Sequence, residues 1–323
     1  RSNMDYVIAS YLAAERAALS YAVGEWARAW GLRHLIRAMG AYFVRRNSKD
    51  DLYRRVLERY IAMATEAGVT QAVYPEGRLT LDGRMGEPRF GVLDYMLRGF
   101  HTHGERDLVF VPLGLNYDRV LEDRTQLRAG DKTAAPTGRL RTAGGTARFV
   151  FDQLFLLLRS RWHRFGYACV NFGTPLSVRA WATQRGIDFD HLSREQRQAE
   201  VAALGRQLMA DVGRLVPVLP VPLVATVLLA QGERGLDELE LKSAVAVLVQ
   251  RLGAAGAHLY VPRGDWDYAV SAGLRMLTLR HLVDHADGLY RARAGEAALL
   301  RYYANSIAHL LPPAATVTES RPD

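Results

Sequence analysis

Residues 72–83, "AVYPEGRLTLDG", begin as a strand and end as something else. Ala72, Val73 and Tyr74 form an apolar lead that breaks at Pro75, and Glu76, Gly77 and Arg78 stand together just past the break. Glycine permits backbone conformations and close approaches that other residues resist, while arginine offers a fork of donors shaped for phosphate or carboxylate. A strand that delivers such a turn makes either a binding loop or an ordinary β-turn with solvated charges. The segments on both sides bear on the choice.

Upstream, residues 49–67 have helical spacing with Gly68 as a stop, and "GAYFVRR" (residues 40–46) reads as a short β-branched and aromatic strand ending on two arginines. Residues 3–30 also have helical spacing, with Gly24 and Gly31 as breaks. "QAVYP", "LVFVPLGLNY" and "YACVNFG" read as further strands. Strands alternating with helices of this length indicate an α/β architecture, a mixed sheet flanked by helices, with functional loops at strand ends. After about Val216 the pattern changes to helices with short connections, as in "LDELELKSAVAVLVQRLGAAGAHLYV" and "AGEAALLRYYANSIAHLLPP". The expected organisation is an α/β domain over residues 1–215, a C-terminal helical region over 216–312 and a disordered tail over 313–323.

The 323 residues, 49% apolar and 24% charged, suffice for a sizeable core and argue against extensive disorder. One cysteine, Cys169, excludes an intramolecular disulfide and a multi-cysteine metal site. "HTHGERD", residues 101–107, places two histidines near acids, but their alternate spacing in a polar loop is poor geometry for a closed metal site, so no metal and no cofactor are expected. The chain opens on Arg1 with no charged-then-apolar leader, and is expected to be a fragment. Residues 215–232 carry no charge, yet three prolines interrupt them and they fall short of the ~20 apolar residues of a spanning helix, which suggests a buried or interfacial segment.

The formal charge of +8 is concentrated: residues 33–59 hold eight Arg/Lys against three Asp/Glu, and residues 141–164 hold five against one. Such patches suit nucleic acid, an anionic membrane surface or phosphorylated small molecules. Nucleic acid is disfavoured because residues 217–266, with a helix-turn-helix-like rhythm, have four Arg/Lys and five Asp/Glu and so lack a basic recognition face. "RFVFDQLFLLLRSRWHRFGY", residues 148–167, mixes aromatics and leucines with Arg159, Arg161 and Arg164, which suits either an in-plane membrane contact or a core helix with a basic face.

Four segments in order resemble the glycerolipid acyltransferase superfamily, most closely its glycerol-3-phosphate acyltransferase branch. "RSNMDY" looks like the end of a block in which a histidine is followed five positions later by an aspartate. Asp5 matches the aspartate, and the histidine would stand immediately before Arg1, so the resemblance implies a chain cut just after its catalytic base. "GAYFVRR" is similar to a second block whose basic residues hold the acceptor phosphate, matched by Arg45 and Arg46. "YPEGRLTLDGR" looks like the third, built on Glu76 and Gly77; the usual arginine three positions after the glutamate is Leu79 here, with Arg78 one place earlier and Arg89 of "PRFG" able to share the task. "VPLGLNYDRV" matches the fourth at Pro112 and at the run Tyr117, Asp118, Arg119. "VNFGTPL" and, more faintly, "YYANSIAHLL" look like the same branch.

The resemblance implies transfer of a fatty acyl group from acyl-CoA or acyl-carrier protein to glycerol 3-phosphate, giving lysophosphatidate at the cytoplasmic face of a membrane. Asp5 would be catalytic, and Ser2, Arg45, Arg46, Glu76, Gly77, Arg78, Arg89 and Pro112 would bind substrate. Dihydroxyacetone phosphate or lysophosphatidate is an alternative acceptor, and an inactive fragment is a third reading. The chemistry needs a base for the hydroxyl proton and a partner that fixes the base. Positions five apart on a helix differ by ~140°, so a histidine and Asp5 meet only if one lies on the loop entering the helix. "RSN" suits that entry, because Ser2 or Asn3 can cap the helix. A phosphate in turn needs charge-assisted, preferably bidentate, partners, which arginines supply.

Overall fold

A computed structural model describes residues 1–14, 18–23, 40–45, 50–131 and 166–311. It divides into two compact units: Arg1–Leu79 with Gly86–Gly114 and Phe172–Leu215, and Thr80–Met85 with Leu115–Asn171 and Val216–Asp323.

The first unit is built on a three-stranded parallel sheet. Helix α1 (Met4–Ala13) leads to β1 (Ser20–Val23), the central strand, which pairs in parallel with β2 (Ala41–Phe43) and β3 (Gln71–Ala72). Parallel neighbours cannot be joined by a hairpin, and the crossover from β2 to β3 is helix α2 (Asp51–Glu66). Asp50 caps it by accepting the Tyr53 N–H at 3.1 Å, and Gly68, at φ +73°, lets the chain turn away after it. Its inner side buries Ile61 and Ala62 toward helix α3 (Gly91–Arg98), where Gly99 has no side chain to clash with the Ala62 carbonyl. A larger core gathers Leu93, Leu97, Phe100, Val178, Phe189, Val201 and Leu204, with Gly205 of helix Arg194–Leu215 beneath the Phe90 ring.

The expectation of an α/β fold holds, but one assignment is corrected. Residues 3–30 are not continuously helical, since α1 ends at Ala13 and Ser20–Val23 is the middle strand of the sheet. Tyr21 is 2% exposed there and stacks on Tyr6. Tertiary burial of one tyrosine outweighs helical spacing in so short a segment.

The second unit is mostly helical. Residues 220–230, read as buried or interfacial, form helix Pro220–Ala230, with Val221, Leu223, Val224, Ala225 and Leu228 essentially inaccessible. Pro220 stands in its first turn, where a missing N–H costs nothing. Around it lie helices Glu238–Ala254, Trp266–Leu279 and Ala297–Asn305, the first opened by a capping box of Asp237 and Glu240. The expected all-helical C-terminal region also contains an antiparallel hairpin, Val283–Ala286 with Leu289–Ala292. Its turn uses Asp287 and Gly288, both at positive φ, a signature of tight hairpins. No helix among the described residues is long and apolar enough to cross a membrane. Residues 313–323 and the stretch 148–165 lie outside the described residues.

Candidate functional site

Asp5 sits in the first turn of α1, 6% exposed, with its carboxylate folded back over the entering loop. One oxygen lies 2.5 Å from the backbone nitrogen of Arg1 and accepts the Ser2 N–H at 3.2 Å. The loop is closed by the Asp5 N–H on the Ser2 carbonyl at 3.0 Å and by the Met4 N–H on the Ser2 hydroxyl at 3.2 Å. Ser2 therefore supplies the helix entry, while Asn3 makes no side-chain cap. Both Ser2 oxygens are engaged in this turn. The carboxylate points at the backbone preceding the helix, which is the direction an orienting partner would need.

Tyr6 carries the connection from Asp5 to the Glu76 turn. Its ring stacks on Tyr21 of β1 at 5.3 Å and meets Tyr74 edge-on at 4.5 Å. Tyr74 is the last residue before Pro75, and burial, then Tyr6, Asp5 and Tyr21, push its phenol well above the usual range, so it stays protonated. Beyond it the chain turns tightly: the Gly77 N–H donates to the Tyr74 carbonyl at 2.9 Å, with Gly77 at φ +64°. That left-handed backbone favours glycine. The Glu76 carboxylate accepts the Gly86 N–H at 3.0 Å, and the Arg89 N–H donates to the Pro75 carbonyl at 2.8 Å. Two hydrogen bonds thus fold residues 75–89 into a closed loop. A Cβ on Gly77 would lie 3.0 Å from Arg89 Cδ, so the Arg89 side chain crosses directly over the turn.

Arg78 and Arg89 are both exposed and form no ion pair among the described residues. Elsewhere in this unit Arg98 pairs with Glu58 and Asp94, and Arg185 with Glu200. Leu79, in the place where the motif usually has arginine, is half-buried. Two guanidiniums on one short loop, held without a carboxylate partner, leave their donors available to an anion.

Arg45 follows β2, exposed, its N–H donating to the Tyr53 hydroxyl at 2.9 Å and its guanidinium 5.7 Å from that ring. Because β2 and β3 run parallel on either side of β1, Arg45 and the Glu76 turn leave the same carboxyl edge of the sheet, where α/β folds place their ligands. Arg46 lies outside the described residues. Pro112 is buried, its carbonyl accepting the Gly173 N–H at 2.9 Å. That bond ties it to the segment that follows Phe172. The geometry joins Asp5, Glu76, Gly77 and Arg89, and puts Arg78 on the same loop and Arg45 at the same sheet edge.

Sequence reasoning passed over Tyr6 and Tyr74, although each directly adjoins a motif residue, after Asp5 and before Pro75. His101 and His103 hydrogen-bond or face Asp190 and Asp188 at 2.8 and 3.4 Å. Among the described residues no group of three or more histidine, cysteine or acidic side chains is placed to hold a metal.

The Acyltransferase family model matches residues 1–116, and the model of the glycerol-3-phosphate acyltransferase C-terminal region matches residues 151–319. The chain is similar to glycerol-3-phosphate acyltransferases of Pseudomonas putida (29% identical over 321 residues), Ectopseudomonas mendocina (29% over 321) and Pseudomonas paraeruginosa (30% over 323). Each alignment covers 96% of this chain but only 37–38% of the relative.

Proposed function

The chain belongs to the glycerol-3-phosphate acyltransferase family, and from that premise we propose that it transfers a fatty acyl group from acyl-CoA or acyl-carrier protein to the 1-hydroxyl of sn-glycerol 3-phosphate, forming lysophosphatidate. The observation that carries the proposal is the connection of the inward-folded Asp5 carboxylate, through Tyr6 and Tyr74, to a Glu76–Gly77 turn bearing two arginines that form no ion pair among the described residues.

In this reading Arg78 and Arg89, with Arg45 at the same sheet edge, hold the acceptor phosphate. A histidine preceding Arg1 would stand at the entering loop over which the Asp5 carboxylate is folded, held there by the Ser2 N–H at 3.2 Å. The histidine takes the hydroxyl proton, and Asp5 fixes the ring and stabilises the imidazolium. The acceptor oxygen attacks the thioester carbonyl, its new C–O bond replacing the C–S bond, and the departing thiolate takes up the proton. Glu76 works indirectly by holding Gly86, which keeps Arg89 over the turn.

Loss of a histidine at that place should abolish most turnover while the arginines retain acceptor affinity. We also assign the enzyme to the cytoplasmic face of a membrane, as a peripheral protein. The test is an assay of the chain extended with its upstream residues, supplied with acyl-CoA or acyl-carrier protein and offered glycerol 3-phosphate, dihydroxyacetone phosphate and lysophosphatidate in turn. Lysophosphatidate formed from glycerol 3-phosphate supports the assignment, and acylation confined to either other acceptor overturns it.

A further inference from the structure

Helix α2 presents a row of apolar side chains to the outside. Leu52, Val56, Tyr60 and Met63 are spaced by four, four and three residues, which puts them on one face, and they are 72, 59, 49 and 52% exposed. Burial of Ile61 and Ala62 accounts for the inner face, and among the described residues only Tyr60 of the row is seen to touch the sheet, its ring edge-on to Tyr42 of β2 at 5.2 Å. It extends for roughly 16 Å at the helical rise. Arg55 and Arg59 lie along its flank, both exposed. Arg59 reaches Glu66 at 3.5 Å, and Arg55 has no ion pair among the described residues. Glu58 is held by Arg98 at 2.6 Å and so does not draw on either arginine.

We propose that this face of α2 is a lipid-docking surface: Leu52, Val56, Tyr60 and Met63 enter the apolar margin of an anionic membrane while Arg55 and Arg59 meet its headgroups. The inference rests on the acyl-transfer reading for its choice of a lipid occupant, and it names the surface through which that site reaches amphiphilic substrates. Charge complementarity favours it, because apolar side chains flanked by arginine are the pattern of helices that lie in a bilayer interface. Area also favours it. A single row of four side chains falls well short of the roughly 800 Å² per partner of a stable protein interface, whereas insertion into the headgroup boundary requires only such a row. Leu52 immediately precedes Tyr53, whose hydroxyl accepts the Arg45 N–H at the carboxyl edge of β2. A donor or product leaving the lipid there arrives at the sheet edge that carries the arginines.

The test is co-flotation of the full 323-residue chain with vesicles of phosphatidylcholine containing phosphatidylglycerol, and with phosphatidylcholine alone, without substrates. Binding to the mixed vesicles that weakens with salt is expected. The triple variant Leu52→Gln, Val56→Gln, Met63→Gln should bind about tenfold or more weakly, given the transfer free energy of its apolar side chains. Arg55→Gln should flatten the salt dependence. Circular dichroism of each variant checks that the fold is kept, and since the changed residues face outward the helix signal should not move. If the parent binds and the triple variant binds equally, the docking surface is elsewhere while the membrane reading stands. If the parent ignores both vesicle types, the docking proposal and the membrane assignment fail together. If the triple variant instead converts a dimer to a monomer in light scattering, the face belongs to a second copy and the lipid proposal is overturned. Because no turnover is measured, failure of the acyl-transfer reading registers separately, in the acceptor assay.

Discussion

Glu76 illustrates how a motif residue and a structural residue can be the same one. Its carboxylate holds the Gly86 N–H, so the glutamate shapes the loop on which Arg78 and Arg89 stand. Arg78 and Arg89 form no ion pair among the described residues. Arg78→Ala or Arg89→Ala in the active protein should raise the glycerol 3-phosphate KM by the equivalent of about 1.5–3 kcal/mol, one charged hydrogen bond each, and leave the acyl-donor KM nearly unchanged. Equal changes in both KM values would remove these side chains from the phosphate site. Most of this was legible in the sequence, because Pro75, Glu76, Gly77 and Arg78 have chemistry that their order reveals. The Tyr6–Tyr74 contact was not, since it joins residues 68 positions apart that carry no common pattern. Nor does the sequence show that Ser2 spends both oxygens on the helix entry.

Among the elements, α2 was readable almost to the residue. Residues 49–67 were expected and Asp51–Glu66 is found, because a capping aspartate and a terminal glycine mark its ends. β1 was not readable. "SYAV" is too short to display alternation, and what makes it the central strand is pairing on both sides with segments at residues 41–43 and 71–72. Its burial yields a direct check. Tyr21→Ala removes a ring that is 2% exposed and stacked on Tyr6, so unfolding in denaturant should show a loss of about 3 kcal/mol or more. A loss well under 1 kcal/mol would mean that the strand is not at the centre of the sheet. The hairpin at residues 283–292 escaped for a similar reason: Asp287–Gly288 is a turn signal, but its strands are only four residues each.

At the scale of the whole chain, motif resemblance was strong over the first 180 residues or so and faint after them, whereas the C-terminal family model matches 151–319. Most described residues of that range are helical, with buried positions set by packing, and packing leaves no short motif. One buried group of the second unit gives stability a pH dependence. Asp118 accepts the Val221 N–H at 2.9 Å and the Tyr167 N–H at 3.1 Å, and complete burial outweighs those donors and pushes its carboxyl up to about 6 from 3.8. A pKa raised on folding means that the native state binds the proton more tightly than the unfolded state. Its contribution is therefore full below about pH 4 and lost as pH rises through 6. Denaturant titrations across that window should show a decline on the order of 2–3 kcal/mol in the parent, and Asp118→Asn, less stable for want of one acceptor, should flatten the decline. An unchanged slope in the variant would assign the pH dependence to another group. The central claim, that Asp5 fixes the base of an acyl transfer, is tested most directly by kcat for lysophosphatidate formation in the chain preceded by histidine at the Arg1 nitrogen, with and without Asp5→Asn. The account predicts acyl-CoA- or acyl-carrier-protein-dependent turnover that falls about 10³–10⁴-fold in Asp5→Asn with little change in the glycerol 3-phosphate KM; a variant that keeps the parent's kcat would contradict it.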